Sequence, residues 1–155
     1  MQIWLGAAHH PSFRCGGWAY VRTEGSLVTG AAGGQRNTTP QRVALAGLVS
    51  ALRGLPPSTD QVIHIQTTSP EAVPLAEVLA GRAQPEGDLD LWAQLATASK
   101  GYRLEIARVA VKPDTATAFT DAWANLAMDK AKATGPFTAA IPKANLAKAP
   151  GLGVG

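Results

Sequence analysis

The sequence predicts an α/β fold with a mixed sheet, on the basis of two observations. First, GGWAYVRT at 16–23 and SLVTGAAGG at 26–34 alternate with period 2, and Glu24 and Gly25 between them suit a tight turn. Second, segments with helical spacing alternate with short apolar segments from Pro40 onward. We therefore expect an antiparallel hairpin at one side of a sheet whose other strands are joined by parallel crossovers.

The predicted elements follow one another as three strands, a helix, a strand, two helices, a strand and a long helix. The third helix in this order is 88–100, and for the second we expect Ser69 as N-cap and Pro70 at the first helical position. The remaining boundaries are 2–8 for the first strand, 40–55 for the first helix, 60–68 and 102–111 for the later strands, 69–81 for the second helix and 114–133 for the last one.

Composition indicates one globular domain. The chain has 155 residues, of which 46% are hydrophobic and 16% charged. A single cysteine, Cys15, excludes an internal disulfide and a multi-cysteine zinc site. No stretch approaches the length of an apolar membrane span, and the first residues lack the pattern of a secretory leader, so we expect a cytoplasmic protein without a membrane partner.

Charge is distributed unevenly along the chain. Residues 1–50 carry four arginines and one glutamate, residues 51–99 carry two arginines and six acids, and residues 130–155 carry four lysines and no acid. A basic surface is expected if the end of the chain folds back over the sheet edge. Its members would be Arg14, Arg22, Arg36, Arg42, Lys130, Lys132, Lys143 and Lys148.

Four segments taken together resemble the type 1 ribonuclease H (ribonuclease HI) family. They are GGWAYV at 16–21, NTTPQRVALAGLVSALRGL at 37–55, DLDLWAQL at 88–95 and VAVKPDTATAFTDAWANLA at 109–127. The resemblance covers about residues 2–133 and implies a three-layer fold, in which a five-stranded mixed sheet with a hairpin edge carries helices on both faces. We expect this domain at 1–133 and an Ala/Pro/Gly/Lys-rich extension at 134–155.

The resemblance also implies an activity and its ligands. The family cleaves the RNA strand of an RNA–DNA hybrid with two Mg²⁺ or Mn²⁺ ions held by four carboxylates. The matching positions here are Gly6, Ala44, Thr68 (with Thr67 as the other reading) and Ala124. Because Mg²⁺ requires several hard oxygen ligands, we expect no metal site, no metal cofactor and no catalytic residue at these four positions, as in a divergent member of the family.

Substrate contacts implied by the resemblance are partly kept. Thr39 and Arg42 stand in the family's hybrid-contacting turn, whereas AAHHPSFRC at 7–15 replaces its glycine-rich first loop. The segment 80–90 is short and acidic where many members carry a basic protrusion, so phosphate affinity there is expected to be weak. The candidate nucleic-acid contacts are Ser12, Arg14, Thr39, Gln41, Arg42 and Lys112.

The function predicted from these observations is that of a catalytically inactive ribonuclease H-like module. Its partner would be an RNA–DNA hybrid or other nucleic acid, or a protein bound through the extension. One alternative is an active hybrid endoribonuclease with relocated ligands such as Asp60, Asp114 or Asp121. Another is a metal- or nucleophile-dependent hydrolase. Its candidate groups are His9, His10, His64, Asp114 and Cys15.

Overall fold

A computed structural model describes residues 1–152 of the chain. The six strands are β1 Gln2–His10, β2 Cys15–Glu24, β3 Leu27–Gln35, β4 Gln61–Thr67, β5 Tyr102–Arg108 and β6 Phe137–Ala140. The five helices are α1 Pro40–Leu52, α2 Ala72–Leu79, α3 Leu89–Ala98, α4 Ala116–Thr134 and α5 Lys143–Leu146. The nine predicted elements are present in the predicted order, which confirms the α/β fold class.

The strands form one mixed sheet in the order β5-β4-β1-β2-β3-β6. The pairs β1–β4 and β4–β5 are parallel. The pairs β1–β2, β2–β3 and β3–β6 are antiparallel. The sheet therefore has six strands rather than the predicted five. The additional strand is β6, which comes from the C-terminal extension and pairs with Ala31–Gly34 of β3.

The sheet separates two apolar clusters, because successive side chains of a strand point to opposite faces. Ile3 and Leu5 join Trp18 in a cluster with α1, and Trp4 joins a second cluster with α4. α2 and α3 complete the layer on the α1 side, where α2 contacts β5 and α3 contacts α1. Helices thus cover both faces, as the family resemblance implied.

α4 lies directly against the backbone of three neighbouring strands. A Cβ atom added to Gly6 of β1 would lie 2.8 Å from the Asp121 nitrogen, and one added to Gly17 of β2 would lie 2.9 Å from the Ala127 carbonyl carbon. A Cβ on Gly34 of β3 would lie 2.6 Å from the Ala127 oxygen. Real Cβ atoms do not make such contacts, so these glycines are what allows the helix to approach the sheet so closely.

Two arginines, one in β2 and one directly after β3, bind the carboxyl ends of the two long helices. Arg22 donates to the carbonyl oxygens of Ala51 and Arg53 at the end of α1, at 2.9 and 3.3 Å. Arg36 donates to the carbonyl oxygens of Ala131 and Lys132 at the end of α4, at 2.9 and 3.0 Å. A cation at this end of a helix satisfies free carbonyls and opposes the negative end of the helix dipole.

The predicted start of the second helix is wrong. α2 begins at Ala72, and the Ser69 hydroxyl accepts a hydrogen bond from the Glu71 nitrogen in the preceding turn. Pro74 explains the difference. In a helix beginning at Pro70, position 74 would have to donate to the carbonyl of residue 70, which proline cannot do, whereas the first turn of a helix starting at Ala72 needs no such donor.

The extension is ordered against the domain as far as it is described. β6 extends the sheet, and the side chains of Ile141 and Leu146 are buried in the α4 cluster. Residues 153–155, the last of the predicted extension, lie outside the described residues. Within residues 1–152, no helix has both the length and the apolar character needed to cross a membrane.

The glycine contacts of α4 lead to a stability prediction. Gly17→Ala places a methyl group against the helix backbone, so we expect a loss of about 2 kcal/mol or more in the free energy of unfolding, as in overpacked cores. This corresponds to a fall in Tm of roughly 4–8 °C for a chain of this size. Gly87→Ala is the matched control, since nothing lies within 4 Å of its added Cβ. Equal Tm values for the two variants would contradict the close approach of α4.

Candidate functional site

The candidate site lies where the carboxyl end of β4 meets β1 and α4. The parallel register pairs Leu5 with Thr67, so the next positions, Gly6 and Thr68, are adjacent. The Thr68 hydroxyl donates to Oδ2 of Asp121 on α4 at 2.6 Å. Position 6, position 68 and the first half of α4 are therefore brought together, with Asp121 as the carboxylate among them.

Gly6 is buried at this junction, and its α-carbon faces the backbone of α4 at Thr120 and Asp121. No space remains between strand and helix for a side chain at this position. In a site that holds metal ions between these elements, a carboxylate and the ions would have to occupy the volume that the helix backbone fills here.

Ala44 and Ala124 are both core residues in the structure, each with 1% of its surface exposed. Ala44 belongs to α1 and to the cluster on that face of the sheet. Ala124 belongs to the α4 cluster, and its carbonyl oxygen lies over Gly17, one helical turn beyond Asp121. Neither residue offers a side-chain ligand to a metal ion.

Asp121 is half-buried, and burial raises the pKa of its carboxyl above the ordinary value, while the hydrogen bond from Thr68 partly opposes the shift. One carboxylate and one neutral hydroxyl do not match the several anionic oxygens that a two-metal site requires. Among residues 1–152 there is no group of three or more His, Cys, Asp and Glu side chains placed to hold a metal ion. The residues present do not fit the family's metal pair.

The other relocated ligands do not join Asp121. Asp60 precedes β4 and lies at the opposite end of that strand from Thr68, where it pairs at 4.0 Å with Arg103. Asp114 lies in the loop before α4 in a left-handed conformation, with φ of 58°. It lines a surface cavity of about 300 Å³ together with Trp4, Gln66, Lys112 and Thr115.

The histidines and the cysteine are dispersed. His64 is paired with Gln2 at the start of β1, whereas His9 and His10 end that strand. His64 instead lies 3.1 Å from the carboxylate of Glu105 on β5. Cys15 is 1% exposed within the sheet. The alternative hydrolase site built from these groups therefore has no common centre.

Four of the candidate nucleic-acid contacts lie at one end of the molecule. Ser12 and Arg14 are exposed in the β1–β2 turn, and the Arg14 carbonyl accepts from the Thr38 nitrogen at 2.9 Å. This bond places the turn beside the start of α1, where Thr39 and Gln41 lie. We call the surface formed by Phe13, Arg14, Arg36 and Lys132 the basic end.

The two remaining candidates have different surroundings. Arg42 is bound to Asp88 at 3.0 Å and Asp90 at 2.7 Å, and this ion pair raises the pKa of Arg42 and lowers that of Asp90 to about 2. Its guanidinium is therefore already engaged by carboxylates. Lys112 is exposed in the β5–α4 loop beside the cavity of Asp114.

Solved structures with the same arrangement identify the fold. The N-terminal RNase H domain of a Mycobacterium tuberculosis protein matches with a TM-score of 0.59 and 19% identity over 85% of this chain and 96% of that one. LC11-RNase H1 in complex with an RNA/DNA hybrid matches with a TM-score of 0.62 and 16% identity over 84% and 97%. The chain has the ribonuclease H fold.

A third match to the ribonuclease H fold is RNase H1 from the halophilic archaeon Halobacterium salinarum NRC-1. Its TM-score is 0.55, with 20% identity over 83% of this chain and 97% of that one. Neither a protein-family model nor a curated protein matches the sequence. The fold implied by the four sequence segments is thus confirmed by structure.

Several contacts of the site escaped the sequence reasoning. The ion pair of Arg42 was signalled only by the acidic DLD at 88–90, and the helix-end contacts of Arg22 and Arg36 had no local signal. Asp121 was considered as a relocated ligand, and its spacing of three residues from Ala124 places both on one side of α4. Its partner Thr68 became evident only from the register of β4.

Restoring an acid at position 6 is expected to destabilise the protein. In Gly6→Asp the new Cβ would meet the α4 backbone, and the new carboxylate would face Asp121; two such charges about 5 Å apart repel by roughly 3 kcal/mol at an effective dielectric of 20. We expect a lower Tm by thermal denaturation that 10 mM Mg²⁺, about the concentration of an activity assay, does not restore. Gly87→Asp, in open space, is the control. A Tm unchanged by Gly6→Asp, or restored by Mg²⁺, would contradict the closed site.

Asp121→Asn is expected to stabilise the protein at neutral pH. Because burial raises the folded-state pKa of Asp121, ionisation of this group disfavours folding, and the amide oxygen of the variant can still accept from Thr68. The gain in Tm should be largest above the raised pKa and should vanish below the ordinary pKa, where the group is protonated in both folded and unfolded chains. Asp129→Asn, an exposed position on α4, is the control. If the difference in Tm between Asp121→Asn and the wild-type protein did not change with pH, ionisation of the buried Asp121 carboxyl would not be its cause.

Proposed function

We propose that this chain is a ribonuclease H-fold protein without nuclease activity that binds nucleic acid. The proposed absence of nuclease activity rests on the contact of Gly6 with the α4 backbone. This contact fills the volume in which carboxylates and metal ions would be needed, and three of the four matching positions, Gly6, Ala44 and Ala124, have no side-chain oxygen at all.

The basic end supports the proposed binding of nucleic acid. Arg14, Arg36 and Lys132 lie there together with the start of α1, and residues 1–59, which supply both arginines, contain a single acid, Glu24. Phosphate groups are attracted to such a surface by counterion release. An RNA–DNA hybrid is the first ligand to test, because LC11-RNase H1, which has the same fold, was solved in complex with one.

An active nuclease with relocated ligands is the alternative, and one contact favours it. Asp121 lies beside Thr68 at the end of β4, so a carboxylate is present close to the candidate site. A single carboxylate can bind Mg²⁺ through water, but it cannot neutralise two ions. The alternative therefore requires further acidic ligands from a rearranged chain.

Cleavage assays separate these two proposals. A labelled RNA–DNA hybrid incubated with 10 mM Mg²⁺ or Mn²⁺, about the range in which metal nucleases are assayed, should remain intact in the presence of the protein. Cleavage that a chelator abolishes would contradict the inactive assignment. Asp121→Asn would then decide whether the relocated carboxylate is responsible.

Binding should depend on salt. With about three phosphate contacts, the affinity for the hybrid should fall roughly 40-fold between 50 and 200 mM salt. Arg14→Gln/Lys132→Gln should reduce the slope of log K against log salt by about 2. Lys100→Gln/Arg103→Gln removes the same charge near the far edge strand β5 and should leave the slope unchanged. Fluorescence anisotropy measures the affinity and its salt dependence. Equal slopes for the two double variants would show that the hybrid does not bind at the basic end.

A further inference from the structure

We propose that Phe13 at the basic end stacks on an unpaired base, so that this chain binds single-stranded nucleic acid or the single-stranded end of a hybrid. The inference rests on the proposed nucleic-acid binding and adds the class of ligand and the contacting residue. It starts from the position of Phe13, whose side chain is 59% exposed in the β1–β2 turn.

The exposed ring is held in one orientation by its neighbours. The His10 ring contacts it edge-on, with centroids 4.9 Å apart and planes at 67°. The Phe13 nitrogen donates to Nδ1 of His10 at 3.4 Å, and the Lys132 ammonium lies 3.9 Å from the centre of the Phe13 ring. A ring fixed before binding loses little conformational entropy when a ligand stacks on it.

The turn that carries Phe13 is braced against the rest of the domain. The Thr38 nitrogen donates to the Arg14 carbonyl, and the Thr38 carbonyl lies 2.9 Å from Nε2 of His9. Arg36, in the same β3–α1 loop, holds the last carbonyls of α4, the helix that carries Lys132. The aromatic ring and its cations are thus parts of one connected structure.

The charges around the ring suit a polyanion. Arg14 is the next residue along the turn, and Lys130 and Lys132 stand on the last turns of α4, where Asp129 is the one acid between residues 122 and 152. The Lys132 ammonium lies over one face of the Phe13 ring. A base would therefore stack on the other face or displace the ammonium, while its phosphates meet Lys132 and Arg14.

Stacking on Phe13 selects unpaired bases. A base inside a duplex already has a neighbour on each of its faces and cannot present one to a side chain without unstacking. Every base has a π-face, so the contact tolerates sequence and is open to DNA and RNA alike. A blunt duplex exposes a base face only at its two end pairs, so it should bind mainly through phosphates.

The test compares four labelled ligands by fluorescence anisotropy: a blunt RNA–DNA hybrid, the same hybrid with a DNA or an RNA overhang, and a single strand. We expect the wild-type protein to bind both overhang hybrids more tightly than the blunt one. Phe13→Ala should weaken overhang and single-strand binding about tenfold and leave blunt binding unchanged. Phe13→Trp should retain the preference, and Leu27→Ala, a 57% exposed side chain at the far end of β3, is the control.

Each result decides the proposal. Equal losses on blunt and overhang ligands, or no loss in Phe13→Ala, would overturn stacking while leaving hybrid binding by the wild-type protein intact. A wild-type protein that binds none of the four ligands would overturn both the stacking contact and the proposed function. A preference for one overhang that Phe13→Ala abolishes would support stacking and would identify the bound strand as DNA or RNA. Thermal denaturation of Phe13→Ala should show an unchanged Tm, since the ring is exposed.

Discussion

The contact between α4 and the glycines of three strands fixes the position of the helix on the sheet. Gly6, Gly17 and Gly34 lie on β1, β2 and β3 along the path of α4. The helix backbone packs against all three, and the Ala131 methyl group also packs against Gly34. The direction of α4 across the sheet determines two contacts, one in each half of the helix. The first half of α4 brings Asp121 to Thr68, and the last turn brings Lys132 to Phe13.

The close packing of α4 is linked to the residues at positions 6, 44 and 124, none of which carries a carboxylate. A two-metal site needs room between strand and helix and a concentration of negative charge, which costs folding free energy when no metal is bound. A glycine at position 6 removes the charge and lets the helix occupy the room. Ala44 and Ala124 then become ordinary core residues, each almost fully buried.

Sequence reasoning succeeded where the signal was local and failed where it depended on distant pairing. Alternation in β2 and β3 and helical spacing after Pro40 were enough to place nine elements, and four short segments indicated the fold. β6 was not predicted as a strand, since Phe-Thr-Ala-Ala has no alternation of its own and acquires its structure from β3. The ligand positions could be read from the sequence, but not the Thr68–Asp121 contact, which requires the β1–β4 register.

Binding at the basic end does not require the chemistry that the carboxylate positions would support. Arg36 satisfies the carbonyls at the end of α4, so the negative end of that helix is neutralised close to the Phe13 ring. Because Arg36 binds these carbonyls, the Lys132 ammonium is not needed there, and it lies over the Phe13 ring. These contacts depend on α4 being close to the sheet, which is also the arrangement that leaves no room for a side chain at position 6. The same packing therefore supports both parts of the proposed function.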